Sequence, residues 1–325
     1  MRYVRPLMQV GPAQVPDAVQ MGWCWFTHVE VLSRSAAPHV IPANALTQSE
    51  RARLIGPGEA PQVMGILNTT PDSFSDGGAY DSLDRAVAQG QALIAEGADI
   101  LDIGGESTRP GARLVPVETE IARTAPVIMA LRDAGVITPI SVDTRKAAVA
   151  AAALDAGATL VNDVSGFTFD AALAPLCAAR GVPVCVMHAQ GEPQTMQQNP
   201  TYDDVLLDVY DALAARIEAL VALGLPRDQI TADPGIGFGK TQAHNLAILN
   251  RISLFHSLGV PILLGASRKR FIGTIGNAPE ATDRMPGSIA VALAAIAQGV
   301  SIIRAHDVGA HAQAIALWRA SVALG

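Results

Sequence analysis

The sequence predicts an α/β fold, a (β/α)8 TIM barrel with an N-terminal extension. Three observations carry this prediction. From residue 61 onward, short runs rich in β-branched residues alternate with longer stretches rich in Ala and Leu, as expected of parallel βα units. There are eight such pairs, the number that closes a barrel. Polar and charged residues collect directly after the strand-like runs, where the active site of a parallel barrel lies.

Each predicted strand is a short apolar run that ends in polar or turn-forming residues. In chain order the runs are 63–66, 100–103, 139–142, 159–162, 183–187, 230–232, 261–264 and 301–304. The predicted helices are 82–96, 117–134, 145–156, 170–180, 203–223, 243–257, 286–298 and 309–323. A doubly wound open sheet is the alternative. It usually has fewer strands, and its expected glycine-rich nucleotide turn does not follow the first predicted strand.

Glycine marks several boundaries between a helix and the next strand. Examples are EGAD at 96–99, AGAT at 156–159 and LGVP at 258–261. A glycine at this place is a common end of a helix, because it adopts the left-handed conformation that a C-cap requires. The punctuation therefore supports the division into βα units.

Residues 1–60 do not follow this alternation. The stretch 22–32 alternates loosely between apolar and polar residues, and 38–46 could pair with it as a β-hairpin. We therefore divide the chain into an extension, 1–60, that covers one end of the barrel, and the barrel itself, 61–325. A docking surface for a partner is the alternative interpretation of the extension.

Composition restricts the class of protein. Half of the residues are hydrophobic and 16% are charged, which allows a substantial core. The formal net charge of −7 argues against a nucleic-acid binder, which needs a basic face. An anionic substrate stays possible, since a few convergent arginines hold phosphate. Three cysteines are too few for a disulfide framework or a zinc site.

Two features of the sequence bear on the cellular location of the protein. The first residues contain prolines and polar side chains where a secretory signal needs an apolar run. The most apolar stretch, Ile289 to Ile303, is interrupted by Gln298, Gly299 and Ser301, and we interpret it as a helix followed by a strand rather than a membrane span. We expect a cytoplasmic protein that binds neither nucleic acid nor membrane.

Chemically capable side chains follow all eight predicted strands. They are Asn68, Asp102, Asp143, Asn162 with Asp163, His188, Asp233, Ser267 with Arg268 and Lys269, and Arg304 with His306. Each one alone has an ordinary explanation, since Asp or Asn after a strand commonly caps the next helix. We assign His188 no catalytic role. Eight independent caps would not be expected to include several cations and His306, so the set indicates a binding site.

The residue types indicate the ligand. Asp143, Asn162 and Asp233 offer acceptors to a flat heterocycle with an amino-amidine edge, because a carboxylate accepts two parallel N–H bonds from such an edge. Lys269 would donate to a ring carbonyl oxygen. Arg304 would stack its planar guanidinium on the ring or reach a phosphate.

An anion site is predicted beside the heterocycle. Asn68, Arg109 and His306 would surround the anion. Arg109 belongs to the stretch DIGGESTRPGA at 102–112, where small residues place an arginine on a short loop. The loop at 69–78 is rich in Ser, Gly and Asp and is expected to close over the ligand.

The motifs that carry these residues resemble those of the dihydropteroate synthase family. They are MGILNTTPDSFSDGG (64–78), DIGGESTRPGA (102–112), SVDT (141–144), VNDVSG (161–166), VMHAQGEPQTMQ (186–197), DPGIGFGK (233–240), GASRKRFIG (265–273) and IRAHDV (303–308). They occur in the order of the family and cover residues 63 to about 320. The ordered set is much more specific than any single motif.

The resemblance implies an activity. The family joins 6-hydroxymethyl-7,8-dihydropterin pyrophosphate to p-aminobenzoate and releases 7,8-dihydropteroate and pyrophosphate in folate biosynthesis. The chain is thus expected to be a transferase, a (β/α)8 barrel that is commonly a homodimer, and dependent on Mg2+.

The resemblance also implies a role for each matched residue. The pterin contacts would be Asp143, Asn162, Asp233, Lys269 and Arg304. The pyrophosphate contacts would be Asn68, Thr108, Arg109, Arg304 and His306, with Asn68 also serving the Mg2+. The p-aminobenzoate slot, where sulfonamides compete, would be lined by Phe74, Thr108, Pro110 and Phe238. The catalytic set would be Asp143, Arg109, Lys269, Arg304 and His306.

The sequence departs from the family pattern at one position of the predicted slot. Arg270 stands where the family often has a serine near the carboxylate of p-aminobenzoate, and an arginine could bind that carboxylate. The stretch STRPGA carries no insertion beside Pro110, from which we expect sensitivity to sulfonamides.

Two other functions were weighed. A pterin-dependent methyltransferase domain holds reduced folate with a similar set of Asp and Asn, but it needs no anion-gripping loops such as 68–78 and 104–112. A non-catalytic pterin-binding homologue should have lost some of Arg109, Lys269, Arg304 and His306, and all four are present.

Overall fold

The computed structural model describes residues 2–13, 15–54, 56, 58–70, 79–107, 112–191 and 195–322, with residues 79–82 described by their backbone alone. The chain begins with two small antiparallel sheets. Their strands are β1 (Tyr3–Pro6), β2 (Gln9–Val10), β3 (Val19–Met21), β4 (Cys24–Phe26), β5 (His28–Leu32) and β6 (His39–Pro42), in the orders β1-β5-β6 and β2-β4-β3. The short helix α1 (Gln48–Arg53) follows. The antiparallel pairing of β5 with β6 confirms the predicted hairpin, while β1 and the second sheet were not predicted.

Eight parallel strands then form the barrel. They are β7 (Gln62–Asn68), β8 (Ile100–Gly104), β9 (Ile140–Asp143), β10 (Leu160–Asp163), β11 (Val184–Met187), β12 (Ile230–Asp233), β13 (Leu263–Leu264) and β14 (Ile302–Ala305). Their hydrogen-bonded order is β12-β11-β10-β9-β8-β7-β14-β13. A parallel bridge between Ala232 and Ile262 brings the two ends of this sheet together. The barrel is nearly closed, and the predicted fold class is confirmed.

Helices separate the strands and lie outside them. They are α2 (Ala79–Ala95), α3 (Val117–Asp133), α4 (Ala147–Asp155), α5 (Leu173–Arg180), α6 (Val205–Ala222), α7 (Gln242–Asn250), α8 (Arg270–Ile275), α9 (Met285–Ile296) and α10 (Val308–Val322). The predicted helix 243–257 is wrong in its second half. Arg251, with φ −130°, leaves the helical region, and a 3-10 segment from Ile252 to Leu258 follows, in which every side chain is buried. The short helix α8 was not predicted.

No helix within the described ranges is both long enough and apolar enough to cross a lipid bilayer. The apolar stretch from Ile289 to Ile303 divides into the end of α9 and the start of β14, as predicted.

An apolar layer closes the lower part of the barrel interior. Met64, Ile100, Cys185, Leu263 and Ile302 form a buried cluster there. Successive side chains of a strand point to opposite faces, so the residues two positions further along face the same interior. Hydrophobic side chains thus fill the N-terminal end, and the polar residues that follow them line the C-terminal end.

Two hydrogen bonds between the N-terminal extension and the barrel lie at the end away from these polar residues. Trp23 donates from Nε1 to the carbonyl oxygen of Ile296, the last residue of α9, at 2.9 Å. Ser253, in the 3-10 segment before β13, donates from Oγ to the carbonyl oxygen of Pro6 at 2.9 Å. The helices run antiparallel to the strands, so these points lie at the N-terminal end of the barrel. The active-site end is left open by these contacts.

Candidate active site

Strand register brings the predicted site residues to one edge of the barrel. Asn68 at the end of β7 is paired with Gly104 of β8, and Gly104 with Asp143 of β9. Asp143 is in turn paired with Asn162 of β10. Asp233 ends β12, and Arg304 lies in β14 beside β7. The predicted convergence of strand-end residues on one face is present in the structure.

Arg304 is held by two carboxylates at the centre of this face. Its Nε donates to Oδ2 of Asp102 at 2.6 Å, and its Nη2 donates to Oδ2 of Asp143 at 2.9 Å. Asn162 donates from Nδ2 to the same Oδ2 of Asp102 at 3.2 Å. Three of the predicted pterin contacts are therefore joined in one network, and Asp102 links them.

Asp102 was noticed at the end of a predicted strand but was not assigned to the site. The strand periodicity could have identified it. Ile100 faces the apolar interior layer, so the side chain two positions later must face the interior as well. A carboxylate at such a position needs a polar partner, because burying an unpaired charge is costly.

Burial controls the charge of the two site carboxyls on β9 and β12. Burial raises the pKa of Asp143, and the negative charge of Asp102 raises it further, while Arg304 opposes the rise. Burial also raises the pKa of Asp233, whereas a hydrogen bond from the backbone N–H of Gly235 to its Oδ1, 2.7 Å long, and the charge of Lys269 oppose it. Both groups combine low solvent access with a nearby cation, as in ligand-binding carboxylates.

Lys269 lies beside an aromatic ring predicted for the second substrate. Its Nζ is 4.0 Å from the centroid of the Phe238 ring. Lys269 is the residue before α8, and Arg270 is the first residue of that helix, with an exposed side chain. Lys269 and Phe238 are therefore neighbours, as a pterin site beside a p-aminobenzoate slot requires.

His306 is tied to the loop that follows β13. Its backbone N–H donates to Oγ of Ser267 at 3.2 Å, and its Nδ1 lies 3.1 Å from the same oxygen. The residues that follow Ser267 and His306 join the same two segments, because Arg268 donates from Nε to Oδ2 of Asp307 at 3.0 Å. Arg268 has a positive φ of 58°, which this paired arrangement stabilises.

The loops after β11 and β12 touch through their backbones. Gly235, with φ 67°, has no room for a side chain, because a Cβ there would lie 1.9 Å from the carbonyl oxygen of His188. Lys240 fills the space beneath and donates from Nζ to the carbonyl oxygens of Gly235 at 2.9 Å, Phe238 at 3.1 Å and His188 at 3.3 Å. Lys240 was not predicted as important, because a lysine after a glycine-rich loop has no distinctive local signal.

Burial lowers the pKa values of Lys240 and His188 well below their ordinary values. Burial lowers the pKa of Lys240 to about 7. Burial and the nearby charge of Lys240 lower the pKa of His188 to about 3. Nδ1 of His188 lies 2.9 Å from Nζ of Lys240, so a neutral imidazole accepts a hydrogen bond from the lysine. His188 thus supports the loop.

A second buried network supports the loop that follows β8. Glu106 accepts the backbone N–H of Val115 at 2.8 Å and a bond from Nη2 of Arg145 at 3.1 Å, and Nζ of Lys146 lies 3.3 Å from it. Lys146 also pairs with Glu120. A single carboxylate therefore joins the start and the end of this loop to the chain after β9.

Several predicted site residues lie outside the described residues. They are Phe74, Thr108, Arg109 and Pro110. Among the predicted residues that are described, Asn68 and His306 are half-buried at the C-terminal ends of neighbouring strands. Within the described ranges, no group of three or more His, Cys, Asp or Glu side chains is placed to hold a metal ion.

Comparison with known proteins identifies the family. The profile of the pterin binding enzymes matches residues 64–306. A dihydropteroate synthase of Synechocystis sp. is 46% identical over 266 residues, which cover 81% of this chain and 92% of the relative. The chain belongs to the dihydropteroate synthase family. The predicted resemblance is confirmed, and with it the prediction of a transferase of folate synthesis.

Solved structures of dihydropteroate synthases have the same fold. The enzyme of Xanthomonas albilineans with 4-aminobenzoic acid superposes with a TM-score of 0.77 at 44% identity, covering 82% of this chain and 95% of that one. The Yersinia pestis dihydropteroate synthase with a sulfonamide drug superposes with a TM-score of 0.76 at 42% identity, covering 86% and 98%. These relatives favour a synthase over the methyltransferase alternative.

Proposed function

We propose that this chain uses the open end of its barrel to condense 6-hydroxymethyl-7,8-dihydropterin pyrophosphate with p-aminobenzoate, the reaction of its family. The observation that carries the proposal is the joining of Asp143, Asn162 and Arg304 through Asp102 in one partly buried network at the C-terminal ends of β9, β10 and β14. These residues match the family motifs in order, and Asp233 and Lys269 complete the predicted pterin set.

The pterin is bound by its hydrogen-bonding edge. Asp233 and Asn162 accept the amino and ring N–H groups, Asp143 accepts from the far side of the ring, and Lys269 donates to the ring carbonyl oxygen. The low solvent access of the carboxyls strengthens these bonds, because water does not compete for them. Arg304 lies beside the ring with its planar guanidinium.

The reaction replaces a C–O bond by a C–N bond. The bond between the pterin methylene and pyrophosphate breaks, and its electron pair leaves with the pyrophosphate. The charge that grows on the leaving group is stabilised by Arg109, Arg304 and His306. The positive charge that develops on the methylene is eased by the carboxylate of Asp143. The amine of p-aminobenzoate attacks this carbon and then loses a proton.

The amine of p-aminobenzoate is already a nucleophile, so an activated Ser or Cys is not required by this reaction. The three cysteines, Cys24, Cys177 and Cys185, are buried, and burial raises the pKa of each. The ring of p-aminobenzoate packs against Phe238, with Phe74, Thr108 and Pro110 as the other walls. Arg270, exposed at the start of α8, is available to the carboxylate of this substrate.

Mg2+ fits the donors present as an ion that arrives with the substrate. Asn68 offers one amide oxygen, and the described residues contain no group of three or more His, Cys, Asp or Glu side chains placed to hold the ion. Mg2+ commonly keeps several waters and binds through one or two protein oxygens together with substrate phosphates. Asn68 would hold it beside the pyrophosphate, and the ion would supply positive charge for the leaving group.

Further properties belong to the same proposal. The protein functions as a cytoplasmic homodimer, with residues 1–60 as an extension and 61–325 as the catalytic barrel. Sulfonamides compete for the slot beside Phe238, since the related Yersinia enzyme forms a complex with such a drug.

The test is the formation of dihydropteroate by the purified protein with both substrates and Mg2+, followed by chromatography. Asp233→Asn should lower pterin affinity about tenfold or more, because it removes a charge-assisted acceptor. Ser141→Ala, a buried change on β9, is the control and should retain activity. Absence of product, or full activity of Asp233→Asn, contradicts the proposal.

A further inference from the structure

The carboxylate of Asp102 lies at the base of the site, below the residues assigned to the pterin. Asp102 is fully buried, with 0% exposure, directly above the apolar layer that contains Ile100. Its Oδ2 accepts from both Arg304 and Asn162, whereas its Oδ1 has no hydrogen-bond partner among the described residues. A carboxylate buried with one oxygen unsatisfied costs stability. Its contacts therefore indicate a role in the site.

The two carboxylates that hold Arg304 are not equivalent. Asp102 binds Nε at 2.6 Å from below, where the bond is closed to solvent. Asp143 binds Nη2 at 2.9 Å, and its side chain keeps 9% exposure at the open face. Of the two acceptors, only Asp143 is also assigned to the pterin. The bond from Nε of Arg304 to Asp102 can therefore persist when the pterin is bound.

We propose that Asp102 is a positioning residue that holds Arg304 and Asn162 in place for the dihydropterin, while Asp143 passes from Arg304 to the ligand. This inference rests on the proposed function. Asp143 also aligns the guanidinium, through its bond to Nη2. When the pterin binds, Asp143 turns its oxygen to the ring, and the bond from Nε to Asp102 keeps the guanidinium beside the ring. The guanidinium of Arg304 is therefore already oriented for stacking, so pterin binding costs less side-chain conformational entropy.

The first test is a double-mutant cycle on pterin affinity, with 6-hydroxymethylpterin as the probe and calorimetry as the readout. Asp102→Asn keeps the shape and removes the charge, and should weaken binding about tenfold. In an Arg304→Met background the same change should weaken binding less than threefold, because the cation that Asp102 positions is gone and the amide oxygen of an asparagine at 102 still accepts from Asn162. A tenfold loss in both backgrounds, or none in either, overturns the inference.

Ser141→Ala is the matched control. Ser141 lies opposite Asp102 in the register of β8 and β9, is equally buried, and has an Oγ without a hydrogen-bond partner among the described residues. It carries no charge, and its Oγ forms no hydrogen bond to Arg304 or Asn162. This variant should bind the pterin as the unchanged protein does, and an effect equal to that of Asp102→Asn would overturn the inference by showing general damage to the layer.

The second test measures the unchanged protein and needs a variant only to assign one resonance. The Nε–H resonance of Arg304, identified by its loss in Arg304→Lys, should exchange slowly with solvent before and after the pterin is added. Loss of this protection on binding would overturn the positioning role. Failure of the unchanged protein to bind the pterin would instead contradict the proposed function, so the two failures are distinguishable.

Discussion

Arg304 donates from Nη2 to Oδ2 of Asp143 at 2.9 Å, so two side chains assigned to the same ligand contact each other. This contact gives a buried carboxylate a cationic partner. It also makes ligand binding an exchange of partners, in which the pterin must replace the guanidinium at Asp143.

The first prediction concerns Asp143 itself. Asp143→Asn should lower pterin affinity between about 10-fold and 100-fold, because a charge-assisted hydrogen bond to the ring is replaced by a neutral one. Arg304 keeps its bond to Asp102, so the fold should be retained. Calorimetric titration with a pterin measures the effect, with Ser141→Ala as the control. Equal affinities of Asp143→Asn and the unchanged protein would remove Asp143 from the site.

The second prediction is a dependence of pterin binding on pH. Burial and the charge of Asp102 raise the pKa of Asp143. The ligand needs the ionised carboxylate, so affinity should rise with pH as this group loses its proton, and then level. Titrations between about pH 5 and about pH 8 measure it, a range chosen because an ordinary Asp, with a pKa of about 3.9, is ionised throughout. Asp143→Asn should remove the part of the profile that belongs to this group and leave the part that belongs to Asp233, whose pKa is also raised by burial. A profile that this change leaves unaltered would assign it to another group.

Stability should respond to the same group with the opposite sign. A raised pKa means that the folded protein keeps a proton that the unfolded chain has already released. The contribution of Asp143 to the free energy of unfolding is therefore fully present below the ordinary Asp pKa of about 3.9 and decreases as pH rises towards the raised value. Urea unfolding of the unchanged protein and of Asp143→Asn over this pH range measures the contribution of Asp143 to the free energy of unfolding. A contribution that grows with pH there would contradict the raised pKa.

The third prediction is that Lys240 stabilises the fold. Lys240→Met removes a buried donor from three carbonyl oxygens and should lower the free energy of unfolding by about 2–4 kcal/mol. Lys269→Met provides the comparison, since Lys269 is half-buried beside Phe238 and is assigned to the ligand. That variant should lose pterin affinity with a smaller loss of stability. Urea unfolding and pterin titration of both variants distinguish the two roles, which would be refuted if the effects were reversed.

The fourth prediction concerns Glu106. Glu106→Gln leaves the buried Arg145 and Lys146 with less compensating charge and should lower the free energy of unfolding by about 3 kcal/mol. The KM for p-aminobenzoate should rise, because the carboxylate holds the end of the loop at Val115. Arg180→Ala breaks an exposed pair with Asp155 and should cost about 1 kcal/mol or less. If both variants cost the same, the Glu106 network does not stabilise the loop.

The order of strands and helices in the barrel could be predicted almost completely, because each element is specified by a local sequence pattern. Each parallel strand is a short apolar run, and each run is followed by polar residues at the same edge. The helix 243–257 was predicted as continuous, since its apolar residues keep a helical spacing. The structure interrupts it at Arg251, where the buried residues that follow adopt a 3-10 segment. The strands β1 to β3 were not predicted, and the predicted stretch 22–32 divides into β4 and β5 of two different sheets. These strands are short, and their partners are set by long-range packing.

The site was predicted by residue type, but its internal contacts were not. The spacing of the motifs predicts that Asp143, Asn162 and Arg304 lie at one face. It does not predict the hydrogen bonds that join them to Asp102 and to one another. Asp102 was missed because it was considered as a strand end rather than as an interior position. Lys240 was missed because its partners are carbonyl oxygens of two loops that only the fold brings together. The roles of all the site residues stay predictions, and four of them, Phe74, Thr108, Arg109 and Pro110, lie outside the described residues.

The most direct test of the central claim is the release of pyrophosphate by the purified protein with dihydropterin pyrophosphate and Mg2+, measured with and without p-aminobenzoate. We predict release that requires the amine and that falls at least tenfold in Arg304→Met, because this change removes the cation joined to both carboxylates. Release that is independent of the amine, or equal in Arg304→Met, would contradict the assignment of this site to dihydropteroate synthesis.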